Sequence, residues 1–136
     1  MARSVPLSRF TSRVGGGSAF FVRPLRAMHE IPQIEVEMMF LTKAEGGRER
    51  PPVFTTPTMY RPHLVVGSST DYLGVMFQTA PEFVQSQIPF AATLGLVYYP
   101  KVDYAALVPG AEFTVREGAR VVARGRVTKR LYDPVA

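Results

Sequence analysis

From Ile34 the chain alternates apolar and polar side chains with a period of two. In IEVEMMFLTK, Ile34, Val36, Met38 and Phe40 point one way and Glu35, Glu37 and Lys43 take the other parity, the pattern of a half-buried strand. HLVVG and LGVMFQT are short β-rich runs separated by a turn signal at Ser68–Asp71. AATLGLVYY places Ala92, Leu94, Leu96 and Tyr98 on one face, and AEFTV buries Phe113 and Val115. In the last run, ARVVARGRVTKRL, the residues Val121, Ala123, Gly125, Val127 and Leu131 alternate with Arg120, Val122, Arg124, Arg126, Thr128 and Arg130. Twelve prolines and eleven glycines punctuate these runs, and no long amphipathic helix competes with them. The pattern predicts an all-β fold, a single small antiparallel β-barrel of about six strands over residues 34–131.

The connections carry their own chemistry. Gly46 and Gly47 suit positive φ at a strand end, where a Cβ is strained. Pro51, Pro52 and Pro57 stiffen the following segment and lower the entropy lost on ordering it. Tyr60-Arg61-Pro62 opens the next strand, with proline early enough that its missing donor does no harm.

Composition narrows the function classes. At 136 residues and 46% apolar content the chain is the size of one domain with a packed core. It has no cysteine, so neither a disulfide frame nor a thiolate metal site is available. His29 and His63 are too few and too scattered for a zinc site, and no apolar run approaches the roughly 18 residues of a membrane span. No cofactor is expected.

The net charge of +5 is polarised. Residues 1–29 hold five arginines and no acid; residues 30–115 hold five basic and nine acidic side chains; residues 116–130 hold six basic side chains against Glu117. Basic ends around a mildly acidic middle favour anionic partners such as nucleic acid, or else form a solvated face. The first 33 residues, with a triple glycine and two prolines before Arg26, read as a basic flexible extension, and residues 132–136 as a short tail. Arginine and serine without acids also compose an organelle transit peptide, which would place the protein in mitochondria rather than the cytoplasm.

Four ordered blocks go further: LTKAEGGR (41–48), YRP (60–62), STDYLG (69–74) and FTVREGARVVARGRVTKRL (113–131). Together they resemble the C-terminal, third domain of translation elongation factor Tu across its whole length. The resemblance implies a non-catalytic β-barrel that contacts the acceptor and T-stem backbone of aminoacyl-tRNA, docks on a translation GTPase domain and takes part in exchange-factor binding. By motif it implies RNA-facing roles for Arg48, His63, Leu73, Glu117 and Gly118. His63 stands for a family glutamine and Leu73 for a threonine. Ala119 and Ala123 replace glycines, Val121 replaces a threonine, and QSQIPFAA replaces the Met-x-Pro-Gly-Asp turn. The loop from Arg48 to Tyr60 is four residues longer than the family's.

The chain lacks a Gly-x-x-x-x-Gly-Lys-Ser/Thr phosphate loop, and the triple glycine at 15–17 is followed by no lysine. GTP binding and hydrolysis are therefore not expected. Nor does either histidine stand in a nucleophile's context, and Glu35 and Glu37 fall on one solvated face, so no catalytic residue is assigned. The family's last strand is largely neutral after its arginine, whereas this one adds Arg124, Arg126 and Arg130. Together with Arg120 these share a parity, spaced roughly 7 Å for i, i+2 positions, and would suit successive phosphates. The same run would also guard a strand edge. Three readings follow: a barrel binding tRNA or other structured RNA, a protein-interaction module that mimics the factor's third domain, or a folded relic without a partner.

Overall fold

The structure, a computed structural model, describes residues 31–55 and 60–133. The expectations for residues 1–30, including the transit peptide, lie outside the described residues. Six strands form a closed antiparallel barrel: β1 (Gln33–Phe40), β2 (His63–Val66), β3 (Leu73–Thr79), β4 (Phe90–Leu96), β5 (Glu112–Glu117) and β6 (Arg120–Arg130). Their order around the barrel is β1-β4-β3-β2-β5-β6, with β6 closing on β1. The only helical element described is a 3-10 turn at Lys43–Glu45. No helix among the described residues is long and apolar enough to cross a membrane.

The two-residue period explains most of the core. Ile34, Val36, Met38 and Phe40 are buried, while Glu35 and Glu37 are exposed. Leu64 of β2, Val75 and Phe77 of β3, Ala92, Leu94 and Leu96 of β4, and Phe113 and Val115 of β5 join them in one cluster. Tyr98 departs from its expected place: it lies beyond the end of β4 and is exposed. β2 opens at His63 rather than Tyr60, although Phe77 and Val75 still donate to the carbonyls of Tyr60 and Pro62.

β6 departs most from the sequence pattern, because two bulges interrupt its ladders. Against β5 the pairing jumps from Val115↔Ala123 to Arg116↔Val121, leaving Val122 as the extra residue. Against β1 it jumps from Glu35↔Lys129 to Val36↔Val127, leaving Thr128 extra. An extra residue in one strand reverses the parity beyond it. Val122, expected outside, is therefore fully buried beside Ala123, and Leu131, expected inside, is exposed.

Antiparallel order puts the long connections at two ends. One end, the Arg48 end, gathers the β1–β2 segment, the β3–β4 segment and the β5–β6 turn. The other, the Tyr104 end, gathers the β2–β3 turn and the β4–β5 segment. There the Tyr104 ring is buried, its hydroxyl donating to the Gly74 carbonyl at 2.7 Å and accepting from the Tyr98 N–H at 3.1 Å.

Candidate functional site

The Arg48 end is built from the LTKAEGGR block upward. Thr42 caps the 3-10 turn in a reciprocal capping box with Glu45. Gly46 ends that turn at φ +92, as a residue without a Cβ can. Gly47, also expected at positive φ, serves differently: a Cβ there would meet the Leu41 carbonyl oxygen at 2.7 Å. The long segment that follows is pinned by Phe54, whose ring stacks on Phe77 with centroids 5.0 Å apart.

This framework carries Arg48 to the β5–β6 turn. Its Nη1 donates to Glu117 Oε2 at 2.6 Å, with both side chains about two-thirds covered, and its Nε donates to the Arg50 carbonyl at 2.9 Å. The Tyr60 hydroxyl donates to the same Glu117 oxygen. Burial, then that hydrogen bond, pushes the Tyr60 phenol far above its ordinary pKa. Gly118 follows at φ +61 opposite a register pair of Glu117 and Arg120, the pattern of a II′ hairpin turn. Three implied RNA contacts, Arg48, Glu117 and Gly118, thus meet at one end, with Arg48 and Glu117 already bonded to each other.

The other implied residues are not with them. Leu73 is buried in the core opposite Leu64, so it faces no ligand, because its strand parity matches that of Val75 and Phe77. His63 stands on the outer face, paired in register with Gly74 and Arg116.

Nor do the four arginines of β6 share a face. Between the two bulges, Arg124 and Arg126 point outward, opposite Thr114 and Glu112. Arg120 and Arg130 lie beyond the bulges with the opposite parity, at opposite ends of the strand. Arg130 instead donates to the carbonyls of Leu107 and Ala105 at the Tyr104 end. Arg126 is flanked in register by Glu37 and Glu112, and its Nη2 reaches Glu37 at 3.3 Å. Lys129 is opposed by Glu35. The Glu45 carboxyl is held below its usual pKa, first by the Thr42 N–H, with the charge of Arg124 a smaller contributor. A groove of about 570 Å³ crosses this face, over Gly125 and between Met39, Pro89 and Thr114.

One basic group that sequence reasoning passed over differs from these. Arg116 donates through Nε to Thr114 Oγ1 at 3.0 Å and through Nη1 to the Tyr72 hydroxyl at 3.3 Å, with its guanidinium 5.7 Å from the Tyr72 ring centroid. The His63 ring stands 5.7 Å from that same ring. The signal was present in the alternation Thr114-Val115-Arg116, which puts Arg116 on the outer face beside His63. Among the described residues, no carboxylate forms an ion pair with Arg116 or Arg61. No group of three or more His, Asp or Glu side chains that could hold a metal was found among the described residues.

No protein-family model matches the chain.

Proposed function

We propose that the barrel is a non-catalytic binding domain of the elongation-factor third-domain kind, and that its main partner is a protein, a translation GTPase domain or a protein that binds one. The observation that carries this reading is the state of the arginines. Arg48 is bonded to Glu117, Arg126 lies between two glutamates, and Arg130 is held by carbonyls. Phosphates would have to compete with those internal partners.

Net charge points the same way. Positions 31–133 hold eleven basic and ten acidic side chains, for +1, so most of the chain's positive excess precedes the barrel. Counterion release scales with the number of phosphates neutralised, and a nearly neutral barrel neutralises few. At the Arg48 end, Val53, Phe83 and Ile88 are exposed, and the Phe54 N–H bonds the Glu82 carbonyl, which joins their two loops. Apolar side chains amid satisfied charges suit a protein interface.

Calorimetric titration of the full chain into an elongation factor Tu GTPase domain lacking its own third domain tests this reading. Saturable, RNA-independent binding that falls with Phe83→Asp is expected. The absence of heat at high micromolar concentrations would remove the GTPase as the partner. GTP with magnesium should give no heat beyond dilution.

A second reading, RNA binding, is favoured by Arg116, His63 and Tyr72, where a guanidinium and two rings meet without a carboxylate ion pair. In this form the RNA-facing surface moves from β6 to the outer face of β2 and β5. A salt-dependent gel shift with bulk tRNA reports on it.

A further inference from the structure

Gly74 is the residue around which a second outer-face feature is organised. Leu64 and Leu73 are a register pair and both enter the core, so the neighbouring pair of His63 and Gly74 faces outward. A Cβ on Gly74 would meet the Tyr98 ring, with Cε2 at 2.5 Å. Tyr98 therefore lies over this glycine from the β4 side, while His63 stands beside it on β2. Tyr72, two residues before Gly74, shares its parity and lies 5.7 Å from the His63 ring. Beyond His63 comes Arg116 of β5, its guanidinium over Tyr72. Two strand residues, His63 and Arg116, and two residues just outside strands, Tyr72 and Tyr98, thus form a band of Tyr98, His63 and Tyr72 that ends in Arg116, with Tyr98 seated over Gly74.

Ordinary surface packing does not require such a band to stay open. Tyr98 and Tyr72 are 54% and 42% exposed, respectively, so both rings are reachable from solvent. The cationic end has no carboxylate ion pair among the described residues, and Arg61, two residues before His63, continues the basic edge.

We infer that this band is a stacking platform for unpaired RNA nucleotides, with bases against Tyr98, His63 and Tyr72 and a phosphate on Arg116. Every base has a π face, so rings spaced along a groove with a cation hold single strands with little regard to sequence. A duplex keeps its bases stacked inside and offers this band only its backbone. The charge at one end favours a phosphodiester over an uncharged proline-rich segment, the other ligand that aromatic grooves accept. The inference rests on the RNA reading and narrows its ligand to unpaired nucleotides.

Fluorescence anisotropy of the full chain with labelled decauridine, beside an RNA duplex of equal phosphate count, tests it. Tyr72→Ala and Tyr98→Ala should each weaken decauridine binding about tenfold and leave duplex binding unchanged. Phenylalanine at either position should restore it. Arg116→Ala should weaken both probes and lower the salt slope for decauridine by about 0.7. If the duplex binds but decauridine is insensitive to the tyrosine changes, the platform is wrong and the RNA reading stands. If neither RNA binds, both fall. If decauridine does not bind and a proline-rich peptide binds through the same tyrosines, the band is a polyproline site and the inference is overturned.

Discussion

The outer face of β6 and the outer face of β5 and β2 both carry arginine but leave it in different surroundings. On β6, Arg126 is flanked in register by Glu37 and Glu112 and Lys129 is opposed by Glu35. On the adjacent strand β5, Arg116 has a hydroxyl and a ring. The richer run of arginine is the less available one. Charge along a sequence measures supply, and only the cross-strand neighbours decide how much remains for a partner.

The glycines beneath the two faces differ in the same sense, and they give the largest expected effect. A Cβ on Gly125 would meet the Glu37 carbonyl oxygen at 2.5 Å and Met38 Cβ at 2.6 Å, which are fixed in the adjacent strand. Gly125→Ala should therefore cost about 2 to 3 kcal/mol in urea unfolding. Breaking the clamp at the Arg48 end should come next. Arg48→Ala leaves Glu117 with Tyr60 alone and should cost about 2 kcal/mol, the scale of a charged hydrogen bond. If it costs nothing, Arg48 was available to a ligand after all.

Tyr60 supplies a pH-dependent version of that test. Its folded-state pKa is raised, so its contribution is fully present below pH 10.0, the unfolded value, and is lost as pH rises above it. Tyr60→Phe should remove up to about 1.4 kcal/mol per pH unit from the alkaline slope. An unchanged slope would show that the phenol titrates normally. Gly74→Ala should be milder than the change at Gly125, within about 1 kcal/mol, because the obstacle is a tyrosine side chain that can swing away. The same substitution should still displace Tyr98 and disturb the aromatic band. Arg126→Ala should be the smallest, within about 0.5 kcal/mol, since its pair with Glu37 is exposed on both sides. A larger loss would show that β6 depends on that pair.

The fold was legible where strands stay regular. β1 reads off its alternation without error among Ile34, Val36, Met38 and Phe40, because β4 pairs with it in unbroken register and the extra residue of the β1–β6 ladder lies on β6, not on β1. β6 was misread at Val122, Arg120 and Arg130, since a bulge adds one residue without leaving a compositional mark. Leu73 was misplaced for another reason: a motif carries over a position, while the side chain's parity decides whether it faces a ligand. The meeting of Arg48 with Glu117 spans 69 positions, and no local period encodes it. His63 is singled out by motif, but its neighbours Tyr72, Tyr98 and Arg116 come together only through the barrel's strand order.

That strand order also bears on how the molecule is made. β1 bonds to β4 and β6 but not to β2, so the first strand of the barrel to leave a ribosome has no partner in it until Phe90–Leu96 follows. Its second edge stays open until Arg120–Arg130 appears. A nascent chain stopped before β6 would expose β1 and β5 as bare edges, ready to pair with other chains. Non-local closure of this kind is slow, with folding in milliseconds to seconds. The interval before β6 arrives is therefore the time when the chain most needs protection from its own copies.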